Sequence, residues 1–307
     1  MPTQPISAIE KNPCEKKARS AFGCFRLAML GLCFALTLSI PVFAWAAPQS
    51  AKRDNRLKNI ELCNGTDRSS PEPQIKGCTA LIGSTDSTLA LAIAYNNRGD
   101  AYTAKGDYDL AIKDYDMAVK LNPSFAKPFN NRGVAYRKKR EYDSAIKDFD
   151  EAIKLSPTYG RAFANRAETH QSQHDYQLAA QDYSDAIRLD PDLEAVWNGR
   201  CWSRAILGEL QPALADCNKA LLIRPNDAAT LDSRGFVYLK LGQLDLAIDD
   251  YSSALRSEPR LSSALYGRGL AELKKGDTTS GNADLAAAKK LNGRIADDFS
   301  HYGVHLQ

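Results

Sequence analysis

The sequence predicts an all-α protein, a solenoid of six two-helix repeats closed by a helical cap at each end. Three observations carry this prediction. The chain matches itself at an offset of 34 residues, in segments starting at Ala92, Ala126, Gly160, Glu194, Ala228 and Ser262, and a period of that size marks stacked repeats. Small and large residues recur at fixed places in every copy. Composition agrees: 44% hydrophobic and 25% charged residues describe a folded chain rather than a disordered one, and abundant Ala, Leu, Lys and Asp favour helix over strand.

Taken in order, residues 1–46 form a leader. Lys11, Lys16, Lys17, Arg19 and Arg26 precede the apolar run from Leu27 to Phe43, and Ala44-Trp45-Ala46 places small residues before a cut. Charged, apolar and small-residue segments in that order make a secretory signal peptide, cleaved after Ala46. The alternative is an inner-membrane anchor over residues 27–47, since that run nearly reaches the roughly 20 residues a span needs. Residues 47–91 are expected to hold a linker and an irregular helical hairpin that caps the stack, turning at Asn64–Pro73.

The repeats span 92–295, as 92–125, 126–159, 160–193, 194–227, 228–261 and 262–295. Position 8 is small (Gly99, Gly133, Ala167, Cys201, Gly235, Gly269), and position 27 is always Ala. Position 24 is large in five copies (Tyr115, Phe149, Tyr183, Tyr251, Leu285), and position 32 is Pro in five. Two antiparallel helices approach closely only over small residues, and the large one fills the space so opened. Proline ends the second helix. One hairpin cannot bury its own apolar face, so stacking supplies the core. The last copy drifts, residues 296–307 are expected to form a capping tail, and Arg294–Tyr302 can form a short helix presenting Ile295, Phe299 and Tyr302 on one face.

These positions resemble the tetratricopeptide repeat (TPR), over residues 92 to about 295, and the leader adds the look of an exported bacterial member. The resemblance implies a right-handed α–α superhelix whose first helices line a concave groove through positions 2, 5, 6, 9, 12 and 13. Carried onto this chain, repeats 1–3 present Asn97, Asn131 and Asn165, with Lys127, Asn130, Arg137, Lys138 and Arg161 nearby. Repeats 4–6 present Trp202, Ile206, Phe236, Leu239, Tyr266, Leu270 and Leu273. Repeated amides can hold an extended peptide backbone, and aromatics facing water can anchor side chains. The expected partner is therefore a peptide or protein segment with an acidic stretch followed by hydrophobic anchors. Two alternatives stay open: the tail covers the apolar end, or the Asn ladder only stiffens helix contacts.

Cys14, Cys24 and Cys33 belong to the leader, which leaves Cys63, Cys78, Cys201 and Cys217. In repeat 4 alone, positions 8 and 24 are both Cys, so Cys201 faces Cys217, while Cys63 and Cys78 flank the turn of the cap. Disulfides 63–78 and 201–217 suit an exported chain, with buried free thiols as the alternative. Arg stands at position 7 and Asp at position 23 of every copy. A pair repeated six times reads as a structural lock rather than a catalytic one. His170 and His174 are four apart but have no third ligand nearby, so no metal is expected.

Removing the five basic and two acidic leader residues from 40 and 37 leaves 35 of each. A neutral chain without a basic stripe gives little footing for nucleic acid, and no membrane contact is expected once the leader is cut. No GxSxG, HExxH, GxGxxG or P-loop is present. The chain therefore reads as a non-enzymatic scaffold of the cell envelope, periplasmic or secreted and without a cofactor. A self-assembling or membrane-anchored element, or a non-catalytic subunit of an envelope enzyme complex, is the alternative.

Overall fold

The computed structural model describes residues 47–65 and 70–305, so the predicted leader lies outside the described residues. All regular structure among these is α-helical. Helices α1 (Ala47–Asn64) and α2 (Pro71–Ile82) precede the repeats. Six hairpins follow: α3/α4 (Thr88–Lys105, Tyr108–Leu121), α5/α6 (Ala126–Lys138, Tyr142–Leu155), α7/α8 (Gly160–Ser172, Tyr176–Leu189), α9/α10 (Glu194–Leu207, Leu210–Ile223), α11/α12 (Ala228–Lys240, Leu244–Ser257) and α13/α14 (Ser262–Lys275, Thr278–Leu291). A short α15 (Ile295–His301) ends the chain. None of these helices is long and apolar enough to cross a membrane.

Helix α3 starts four residues before the repeat register, because Ser87 caps it by accepting from the Ala90 amide. Each hairpin packs as the small-and-large pattern requires. A Cβ on Gly99 would lie 2.6 Å from the Tyr115 ring, one on Gly133 2.7 Å from Phe149, and one on Gly235 2.9 Å from Tyr251. In repeat 4 the Cys201–Cys217 bond takes the place of that contact, at a Cα–Cα distance of 5.4 Å. Cys63 and Cys78 join α1 to α2 at 4.5 Å.

The turn inside every hairpin puts position 15 in the left-handed region. Gly106, Gly208, Gly242 and Gly276 occupy it in four copies, but Arg140 (φ 64°) and His174 (φ 63°) hold the same conformation in repeats 2 and 3. A side chain there crowds its own backbone, at a cost glycine escapes. His174 is thus a turn residue, and its ring meets the Tyr176 hydroxyl at 3.0 Å.

The Arg–Asp ladder ties each repeat to itself and to the one before. Arg132 grips Asp148 through Nε and Nη2 (2.8 and 2.7 Å), while its Nη1 reaches Asp116 of the preceding repeat at 2.6 Å. Arg166 does the same with Asp182 and Asp150. Arg200, Arg234 and Arg268 hold Asp216, Asp250 and Asp284, and reach back to Ser184, Asn218 and Ser252. Arg98 holds Asp114 and extends the ladder into the cap through Thr79. A planar guanidinium with five donors suits this two-sided role, which lysine cannot fill.

Candidate functional site

First helices of successive repeats touch one another, α3 to α5 and onward to α13, whereas second helices of neighbouring repeats do not. The stack therefore curves with its first helices inside, and their side chains line the concave face.

In repeats 1–3 that face is crossed by a relay of amides. Asn165 donates to Asn130 (2.8 Å), Asn130 to Asn131 (3.0 Å), Asn131 to Asn96 (3.2 Å), Asn96 to Asn97 (3.1 Å) and Asn97 to Asn64 (3.4 Å). Asn131 also donates to Asp100 at 2.7 Å, and the Tyr115 hydroxyl donates to the same carboxylate at 2.8 Å. Burial holds the Asp100 carboxyl above its ordinary range, against the pull of Lys127 and of these donors. The sequence predicts amides that grip a peptide backbone. The structure turns them onto each other, and Asn130 is only 4% exposed. They bind repeat to repeat.

The basic residues divide in two. Lys127 lies 3.6 Å from Asp100, and Arg137 lies 2.6 Å from Glu168, so both are neutralised locally. Lys138 and Arg161 are exposed and have no ion-pair partner among the described residues. Arg161 borders a hollow of about 310 Å³ with Ala164, Asn165, Glu168, Leu193, Ala195 and Val196. With one guanidinium, one amide, the carboxylates of Glu168 and Asp192 and a small apolar floor, the hollow can seat a short polar segment.

In repeats 4–6 the expected anchors are not open to solvent. Phe236 is 1% exposed, and Leu239, Tyr266 and Leu270 are also buried. Trp202, Ile206 and Leu273 are half-buried against the same core. The cover is α15 and the residues after it. Phe299 packs on Phe236 and Tyr266, with ring centroids 5.7 and 4.8 Å apart, and Tyr302 stands edge-on to Trp202 at 5.2 Å. Lys240 fastens this cover by donating to the carbonyls of Ala205 (2.8 Å) and Tyr302 (3.1 Å), and burial lowers its pKa. The open apolar end that the sequence predicts is therefore covered by the chain's own α15 and Tyr302, which takes the exposed side of those rings out of water.

Several residues on this face were not singled out from the sequence. Lys240 is one, and Asp232 with Asn198 are two more, both at position 5 where an apolar half would call for apolar residues. Their polarity at that position was the available signal. Among the described residues no group of three His, Cys, Asp or Glu side chains could hold a metal. His170 instead lies 3.8 Å from Asp182.

Tetratricopeptide-repeat models match residues 92–125, 126–159, 160–193 and 234–292. No curated protein matches the chain by sequence. Among solved structures, one chain of the APC/C hetero-tetramer Cut9-Hcn1 aligns at a TM-score of 0.63 and 17% identity, over 79% of this chain and 50% of that one. PilF of Pseudomonas aeruginosa aligns at 0.59 and 17%, over 68% of this chain and 96% of its own. A tetratricopeptide repeat protein of Parabacteroides merdae aligns at 0.59 and 15%, over 83% and 100%. At these identities the likeness is one of fold.

Proposed function

Because this chain belongs to the tetratricopeptide-repeat family, we propose that it is a non-enzymatic scaffold that takes a protein or peptide segment on the open half of its concave face, in repeats 1–3. The observation that carries this reading is the contrast along the groove. The apolar half is closed by the chain's own α15, while Lys138 and Arg161 stand exposed without an ion-pair partner among the described residues, Arg161 at the edge of the hollow. A partner segment with an acidic residue would meet Arg161, and a small apolar neighbour would rest on Ala164, Leu193 and Val196. Exposed cations steer such a partner and set its register more than they set affinity.

The place of action is the cell envelope, periplasmic or secreted. The leader's residue order supports this, as do the two cystine pairs, which persist in oxidising compartments. The test is a photo-crosslinking residue introduced at Ala195, which is exposed and lines the hollow, compared with one at Leu222, exposed on the outer helix α10. The reading expects a discrete partner crosslinked from position 195 and lost in an Arg161→Glu background. Equal capture from both positions, or capture from 222 alone, overturns it.

A further inference from the structure

We propose that the open cavity bordered by α9, α11, α13 and α15 is a binding pocket for a cationic side chain, the ammonium of a lysine or the guanidinium of an arginine. This deepens the peptide-binding reading above and rests on it for the source of that side chain.

The cavity measures about 410 Å³, within the range of small-ligand sites. Its only charged lining residues are Asp232 from α11 and Asp298 from α15. Neither has an ion-pair partner among the described residues. Asp232 receives one hydrogen bond, from Ser263 Oγ at 2.6 Å, and Asp298 receives one from Asn292 Nδ2 at 3.1 Å. Asn198, also in the lining, carries a buried Oδ1 with no donor. Two carboxylates and an orphaned amide oxygen on one cavity leave acceptors in excess. An unfilled buried acceptor costs about 1–3 kcal/mol.

The missing partner must therefore bring N–H donors. A lysine ammonium brings three and an arginine guanidinium five, and neither accepts. The walls point the same way. Trp202, Phe299 and Tyr302 line the cavity, and aromatic faces attract a desolvated organic cation. An anion would meet two carboxylates and no cation in the lining, and an apolar side chain would leave the Asn198 Oδ1 without a donor. Burial pushes the Asp232 carboxyl up to about 7, as befits a carboxylate held without a counter-charge.

The same arrangement explains why the cover over the apolar groove leaves a gap. Helix α15 fills the space above Phe236 and Tyr266 with Phe299, yet contributes Asp298 and Tyr302 to the rim of the cavity. The tail thus completes the pocket as it closes the groove, and a segment lying along the open half would place a basic residue there.

The experiment follows the Trp202 indole N–H signal in the purified protein while Nα-acetyl-lysine amide, Nα-acetyl-arginine amide or the uncharged Nα-acetyl-norleucine amide is added. Trp202→Phe assigns the signal. The proposal expects a saturable shift with the lysine or the arginine derivative and none with norleucine. It also expects Asp232→Asn and Asp298→Asn each to weaken binding by about tenfold. Circular dichroism checks both folds, and Asp298→Asn, on the short surface helix, keeps the test alive if Asp232→Asn does not fold. Equal shifts with norleucine, no shift with either cation, or unchanged affinity in the folded variants overturns the pocket. Failure here with a partner still crosslinked from position 195 sinks the pocket and leaves the groove reading. A cation that binds while position 195 captures nothing keeps the pocket and sinks the groove reading.

Discussion

The two halves of the inner face use the same helix positions for opposite ends. At position 6, repeats 1–3 carry Asn97, Asn131 and Asn165, and repeats 4–6 carry Gly199, Ser233 and Gly267. The asparagines bridge one repeat to the next through hydrogen bonds. The glycines instead let a tyrosine of the preceding repeat close in, since a Cβ on Gly199 would lie 2.3 Å from Tyr183 and one on Gly267 2.3 Å from Tyr251. At position 9, Asp100, Val134 and Glu168 give way to Trp202, Phe236 and Leu270. One half is stitched by polar side chains and can stay wet. The other is packed by rings and needs a cover, which α15 supplies. A single backbone template therefore yields a polar, hydrogen-bonded face at one end and a ring-packed, covered one at the other.

The largest effect expected from breaking this contrast falls on the packed half. Phe236→Asp puts a charge among buried rings and should cost about 4 kcal/mol or more, read as a lower urea midpoint, whereas Asn131→Ala in the wet half should cost about 1 kcal/mol. Similar losses for the two would erase the distinction. Next comes repeat 4, where a disulfide replaces the small-and-large pair. Cys201→Ala with Cys217→Ala should cost about 3 kcal/mol, and Cys201→Gly with Cys217→Tyr should recover part of it by restoring the pattern of its neighbours. Thermal melts under oxidising conditions compare them, and a glycine–tyrosine pair no better than two alanines would contradict the packing account.

A smaller effect depends on pH. Asp232 has its carboxyl raised to about 7 by burial, from an ordinary 3.8, beside Ser263 and within the fields of Glu258, Tyr251 and Asp298. Below pH 4 it is protonated in the folded and unfolded chain alike and has no effect. Between pH 4 and 7 only the unfolded chain ionises, so this group's contribution to stability falls as pH rises, then levels off. Asp232→Asn should therefore be more stable than the wild type at pH 8 and equal to it at pH 4. An equal difference at both values would mean the carboxyl is not raised. Smallest are the strained turns, both in the wet half. Arg140→Gly and His174→Gly should each stabilise by roughly 0.5–1 kcal/mol, and a loss in either would show that the side chain contributes more than its backbone strain costs.

The repeats were legible because the physics recurs. Position 8 must be small wherever position 24 is large, and five of the six copies display that rule. The cover over the apolar half was not legible to the same degree. Phe299 and Tyr302 can be seen to share a helix face, but their contacts with Phe236 and Trp202 join segments about two and three repeats apart and follow no period. Asn130 was misplaced for a local reason. It stands at position 5, one of the groove positions, but Asn165 and Asn131 engage its amide and leave it buried within the relay. The turn role of His174 was legible from its position, since four other copies carry glycine there, and its positive φ agrees.

The most direct test of the divided groove is capture of partners from living cells by the wild-type protein, by Lys138→Glu with Arg161→Glu, and by Leu273→Ala beneath the covered half. The account predicts that the double charge variant loses the partners and that Leu273→Ala, still folded, keeps them. Partners retained by the charge variant but lost from Leu273→Ala would place recognition on the half that α15 covers and would contradict it.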